Sequence, residues 1–224
     1  MIKIRYALLI AVLCVCGFIG KAQEPAFYND IQNFKKKDSA STPPQNAILF
    51  VGSSSFTKWT DVQDYFPGYT IINRGFGGST LPDVIRYIND VITPYHAKQI
   101  VIYCGENDLA SSDTVTGEMV FQRFQQLFNI IRKNDPEVPV AFISLKPSPS
   151  REHLWQKMEV ANDNIRHYLS KKKKTAFIDV YHKMFNKDGS VMRDIFLDDN
   201  LHMNEKGYHI WQKVIQRYLV KEEQ

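Results

Sequence analysis

Five short runs rich in β-branched and aromatic residues, at 48–51, 70–73, 99–103, 140–144 and 175–179, alternate with longer stretches of helical periodicity. That alternation constrains the fold more than any other feature of the chain. The runs are apolar almost without interruption, as parallel strands buried on both faces must be; a half-solvated strand would alternate apolar with polar residues. The intervening stretches are 81–92, 117–134 and 152–172, with a last one at 205–220. In the second, Val120, Phe121, Phe124, Leu127, Phe128 and Ile131 recur at helical spacing and cover one face. Strand and helix in turn predict an open, doubly wound, parallel five-stranded α/β sheet with helices on both sides. In such a sheet ligands gather at the carboxyl ends of the strands, so residues that carry chemistry should follow strands directly.

The flanks add a compartment. Residues 1–22 combine Lys3 and Arg5, an apolar run over 7–19 and the small-residue ending Gly20-Lys21-Ala22, the pattern of a signal peptide cut before Gln23. The run is short against the roughly 20 apolar residues a bilayer core requires. Neither Cys14 nor Cys16 follows the Gly, Ala or Ser of a lipoprotein cleavage box. A secreted or periplasmic protein without stable membrane insertion is expected. Residues 23–46 read as a leader with a short helix over 28–37, and 47–224 as one catalytic domain. Cleavage removes Lys3, Arg5 and Lys21 and no acid, taking the formal charge from +4 to +1. Such a balance argues against a nucleic-acid partner, and the lysines at 171–174 suit a solvated helix end. Cys104 is the one cysteine beyond the signal, in an apolar run, and is expected to be a small buried hydrophobe.

Four segments at predicted strand or loop ends carry the candidate chemistry. Gly52-Ser53-Ser54-Ser55 follows the first run and is either a plain turn or a serine aimed at the crevice. Asn73-Arg74-Gly75-Phe76-Gly77-Gly78-Ser79-Thr80 follows the second; its glycines allow close backbone approach and its free N–H groups suit an anion. The P-loop and dinucleotide fingerprints are missing, which disfavours nucleotides. Gly105-Glu106-Asn107-Asp108 follows the third and places an amide, Asn107, as a turn former or an oxyanion donor. Near the end, Asp199 stands three residues before His202, close enough to fix the tautomer of its imidazole, and Asn204 suits the cap of the following helix. The remaining histidines, His96, His153, His167, His182 and His209, are expected to lack such a carboxylate partner. Zinc-type Cys/His spacing is absent, so no metal is expected.

Together and in this order, these segments resemble the blocks of the SGNH/GDSL hydrolases, over residues 48–208. In that family the serine block reads Gly-Asp-Ser, the second supplies a Gly, the third reads Gly-x-Asn-Asp and the last Asp-x-x-His. The resemblance implies a three-layer, flavodoxin-like fold. It implies Ser54 as nucleophile, Asp199 and His202 as its acid and base, and an oxyanion hole made by the Ser54 N–H, the Gly78 N–H and the Asn107 amide. No cofactor is needed. Ser53 stands where the family's Asp is usual, as in relatives resembling platelet-activating-factor acetylhydrolase subunits and carbohydrate acetylesterases.

After the fourth run, Leu145-Lys146-Pro147-Ser148-Pro149-Ser150-Arg151 forms a stiff loop with two cations on the crevice side. Ser53, Lys146, Arg151 and Trp59 are the candidate substrate contacts, with Trp155 beside them. Trp59 and Trp155 serve equally well as core. The substrate expected is a short-chain, especially acetyl, ester of a carbohydrate or small molecule. Alternatives are a lysophospholipase or thioesterase acting on longer chains, and a carbohydrate-binding protein on the same fold without turnover.

Overall fold

A computed structural model describes residues 24–221. The signal peptide expected over 1–22 lies outside the described residues. A leader helix α1 (Tyr28–Ala40) runs three residues beyond its expected end. It is followed by β1 (Ile48–Gly52), two single turns α2 (Ser54–Thr57) and α3 (Val62–Tyr65), and β2 (Ile71–Gly75). The stretch 81–92 divides into α4 (Leu81–Arg86) and α5 (Ile88–Val91), because Tyr87 between them leaves helical geometry at φ −101°, ψ 16°. Then come β3 (Gln99–Tyr103), α6 (Glu106–Ala110), α7 (Gly117–Asn134) and β4 (Val140–Ile143). A 3₁₀ segment (Pro149–Leu154) leads into α8 (Trp155–Leu169), β5 (Thr175–Ile178) and finally α9 (Glu205–Ile215).

The five strands are all parallel in the order β2-β1-β3-β4-β5. β1, β3 and β4 are buried along their whole length. Alternation along each strand sends neighbours to opposite layers. Leu49 and Val51 of β1 join Val84, Phe124, Ile131, Met158 and Ile165 on one side. Ile48 and Phe50 join Phe56, Trp59, Phe66, Trp211 and Ile215 on the other. This is the expected three-layer α/β sheet, and Cys104 is fully buried in it.

Strand order reverses direction between β1 and β3, so a crevice opens past their carboxyl ends. Gly52 ends β1 at φ 145°, and a Cβ there would sit 1.9 Å from the Tyr103 carbonyl oxygen. Only glycine lets the two strands stay this close where the chain turns away from the sheet. The leader closes one flank of the molecule. Arg74 of β2 donates to the Tyr95 hydroxyl at 2.6 Å and pairs with Asp38 of α1, which also accepts from that hydroxyl at 2.6 Å. Among the described residues, no helix is long and apolar enough to cross a membrane.

Candidate functional site

Ser54 is the first residue of α2 and directly follows the Gly52 turn. The Ser53 N–H donates to the Tyr103 carbonyl at 3.0 Å, carrying the β1–β3 pairing one residue past the strand. As the opening residue of a helix, Ser54 has an N–H with no intrahelical acceptor. Its hydroxyl makes no hydrogen bond to any described residue and is free to turn. The second glycine turn lies against it: a Cβ on Gly77 would stand 3.9 Å from the Ser54 Cβ. Gly78 follows at φ 86°, exposed, and its N–H has no partner among the described residues. Ser79, fully buried, locks this turn by donating from its hydroxyl to the Gly52 carbonyl at 3.2 Å, and the Phe76 N–H donates to the same oxygen at 2.9 Å.

Asn107 sits in the first turn of α6, half-buried, and donates from Nδ2 to the Ser79 carbonyl at 3.0 Å. The glycine turn after β2 is thereby joined to the turn after β3. Asp108 strengthens the joint. Its buried carboxylate accepts the Leu81 N–H at 2.9 Å and an Arg123 N–H at 2.8 Å, which fixes the start of α4 just past the glycines. Burial pushes the Asp108 acid up, against the pull of those donors. Neither Ser79 nor Asp108 stood out in the sequence, although a carboxylate beside Asn107 at a strand end was the available signal.

His202 is held on a closed loop before α9. The Leu197 N–H donates to its carbonyl at 2.8 Å, and Asn204 caps the helix by accepting from Lys206 and Gly207 N–H. Asp199 grips it twice: Oδ1 accepts the His202 backbone N–H at 2.9 Å, and Oδ2 lies 2.6 Å from Nδ1. A carboxylate can only accept, so the ring carries its proton on Nδ1 and leaves Nε2 as an acceptor. Burial raises the Asp199 acid, but the hydrogen bonds from His202 and Leu201 outweigh it and hold the carboxyl well below the usual range. Two bonds tie the loop to neighbouring turns. The Ser150 N–H donates to the Asn200 carbonyl at 3.0 Å, and Tyr208 in the first turn of α9 donates to the Ser55 carbonyl at 2.9 Å. The second anchors the base of the His202 loop to the turn that begins with Ser54.

Three proposed substrate contacts are buried. Trp59 is fully buried, stacked 4.7 Å from Tyr208 and ringed by Tyr65, Phe66 and Phe50, because the chain turns inward after α2. Lys146 is 1% exposed and donates to Glu106 at 2.8 Å, so its charge is spent inside the protein. Ser53 is likewise buried, just before the first residue of α2. Arg151 does reach the crevice, but it donates to the Asn107 side-chain oxygen at 2.9 Å. Trp155 is half-buried, and its ring nitrogen donates to the Ser148 carbonyl at 3.1 Å. The expectation that His182 lacks a carboxylate also fails: its Nδ1 lies 2.7 Å from Asp179, three residues earlier and just past β5. That ring is 67% exposed, against 16% for His202. Among the described residues, no three His, Cys, Asp or Glu side chains gather as metal ligands.

A free hydroxyl, an imidazole held by a carboxylate and unpartnered N–H groups at strand ends are the ingredients of acyl transfer. Comparison with curated proteins gives no match. Among solved structures, a GDSL-like lipase from Bacteroides thetaiotaomicron superposes with a TM-score of 0.71 at 20% identity, over 84% of this chain and 95% of that one. A variant of an acetyl-xylooligosaccharide esterase from Geobacillus gives 0.62 at 11% identity, over 79% and 95%. A family 3 carbohydrate esterase from Clostridium thermocellum gives 0.58 at 18%, over 78% and 95%. These likenesses are likenesses of fold. The sequence model of the GDSL-like lipase/acylhydrolase family matches residues 47–210, and the chain belongs to that family of ester hydrolases.

Proposed function

We propose that this protein is an exported serine esterase that removes short acyl groups, acetyl above all, from carbohydrate or other small esters. The observation that carries the reading is the Asp199–His202 pair, locked with Nε2 free, on a loop anchored to the turn that opens with Ser54. In the first step Ser54 Oγ attacks the ester carbonyl while His202 Nε2 takes its proton. The oxyanion forms against the Ser54 N–H, the Gly78 N–H and the Asn107 amide. Collapse breaks the bond to the alcohol, which leaves with the proton from His202. Water then attacks the acyl-serine by the same route, and the acid is released.

Two further points support a short acyl group. Phe27 of the leader brings its Cε1 to 3.8 Å from where a Gly78 Cβ would stand, and its ring packs edge-on to Phe76 at 5.3 Å. An aromatic wall this close to a proposed oxyanion donor leaves little room for a long chain. Two fold neighbours are also named as esterases of acetylated or carbohydrate substrates. Export rests on the signal pattern over residues 1–22.

The test is hydrolysis of p-nitrophenyl acetate, butyrate and octanoate by the wild type and by Ser54→Ala. Preference for acetate that disappears in the variant is expected. A preference for octanoate would move the substrate to longer lipid or thioester chains. Equal turnover by the variant would remove Ser54 as nucleophile.

A further inference from the structure

The Asn107 amide is clamped at both ends. Its Nδ2 donates to the Ser79 carbonyl at 3.0 Å, and its Oδ1 accepts from Arg151 Nη2 at 2.9 Å. A peptide carbonyl only accepts and a guanidinium only donates, so these two bonds decide which end of the amide is which. One N–H of Nδ2 is left without a partner among the described residues.

Arg151 is itself held from behind. Its Nη1 lies 3.2 Å from Glu106 Oε1. Glu106 is 2% exposed, and its carboxylate is fully engaged: Ser148 Oγ donates to Oε1 at 3.0 Å, while Lys146 Nζ at 2.8 Å and the Tyr103 hydroxyl at 2.5 Å donate to Oε2. One buried anion therefore serves two cations beneath Asn107. Burial raises the Glu106 acid, but Lys146 and Arg151 overcome it and hold the carboxyl below its usual range. Burial lowers Lys146, and the like charge of Arg151 adds to this against the pull of Glu106 and Asp199.

We propose that Arg151 is a positioning residue that orients and polarises the Asn107 amide as an oxyanion donor, with Glu106 and Lys146 as its buried anchor. It rests on the reading of Asn107 given above. A charge-assisted bond to Oδ1 draws electron density from the amide and strengthens the N–H at its other end. The bond spans the turn after β3 and the loop after β4, so it also resists rotation of the amide as charge develops. The fork geometry matters. Nη1 faces Glu106 while Nη2 faces Asn107, a division that the single ammonium of lysine cannot reproduce.

Steady-state kinetics on p-nitrophenyl acetate test this with Asn107→Ala, Arg151→Ala, Arg151→Lys and the Asn107→Ala/Arg151→Ala double variant, thermal melts accompanying each. Asn107→Ala should lower kcat about 10²- to 10³-fold. Arg151→Ala should lower kcat about 10- to 100-fold, as for loss of one charge-assisted hydrogen bond, with KM within about twofold. Arg151→Lys should also lose kcat, since charge alone does not hold the amide, and serves if the alanine variant folds poorly. The double variant should be no slower than Asn107→Ala alone, and free guanidinium should restore turnover to Arg151→Ala but not to the double variant. Multiplying losses in the double variant, or a raised KM with unchanged kcat, would overturn the proposal and make Arg151 an independent or substrate-binding group. Wild-type kcat in Asn107→Ala would overturn the oxyanion reading itself, and this link with it.

Discussion

Asp199 holds His202 by backbone and ring together: Oδ1 takes the His202 N–H at 2.9 Å and Oδ2 lies 2.6 Å from Nδ1. Both contacts fall within a three-residue step, so the tautomer is determined by the loop itself. Asp199→Asn keeps the shape, but its amide can present an N–H to Nδ1 and favour the opposite tautomer. Turnover of p-nitrophenyl acetate should fall about 10⁴-fold, with the fold intact by circular dichroism. Retention of more than a tenth of wild-type turnover would mean that His202 is not oriented by Asp199.

The same carboxylate has a pH signature. Its folded acid lies below its unfolded value, so the unfolded chain binds more protons as pH falls, and the stabilisation exists above about pH 4 and is lost below it. Thermal melts of wild type and Asp199→Asn should differ most at neutral pH, with the wild type higher, and the gap should begin to narrow as pH drops from 5 to 3. A gap that stays constant over that range would contradict the depressed acid.

Phe27 reaches the oxyanion turn from the leader, 3.8 Å from the place of a Gly78 Cβ. Phe27→Ala should open the wall while α1 stays attached through Ile31 and the Asp38–Arg74 pair. The ratio of kcat/KM for acetate over butyrate should fall by about tenfold, near the low end of what one misfitted methylene is worth. An unchanged ratio would place the acyl group elsewhere.

Trp59 separates core from pocket. It has no exposure and five aromatic neighbours, and its ring nitrogen has no partner among the described residues. Trp59→Ala should cost about 3–5 kcal/mol in denaturant unfolding. Trp59→Phe should leave KM for the acetate ester within about twofold. A rise in KM without loss of stability would return Trp59 to the substrate.

Much of the architecture was legible because strand and helix periods are local. The five apolar runs became five parallel strands within two residues at each end, and α7 spans the stretch read from its apolar stripe. The break at Tyr87 and the early helical turn at Ser54 were not legible, since single-turn helices depend on what they pack against more than on propensity. Lys146 was read as a surface cation because lysine is rarely buried unless paired. Its partner Glu106 stands 40 residues away and could not be matched to it from spacing.

The chain contains two Asp-x-x-His steps, Asp179 to His182 and Asp199 to His202, and in both the carboxylate meets Nδ1, at 2.7 and 2.6 Å. The sequence by itself determined the Asp199–His202 pair, read from its three-residue step, while the equivalent Asp179–His182 pair went unread. It also determined the sheet, through the unbroken apolar runs. Only the tertiary structure decided that one imidazole stands largely in solvent while the other is largely covered, and that Glu106, Lys146 and Arg151 converge beneath Asn107. Burial and charge pairing depend on segments tens of residues apart, whose meeting is an outcome of packing and has no local period to announce it.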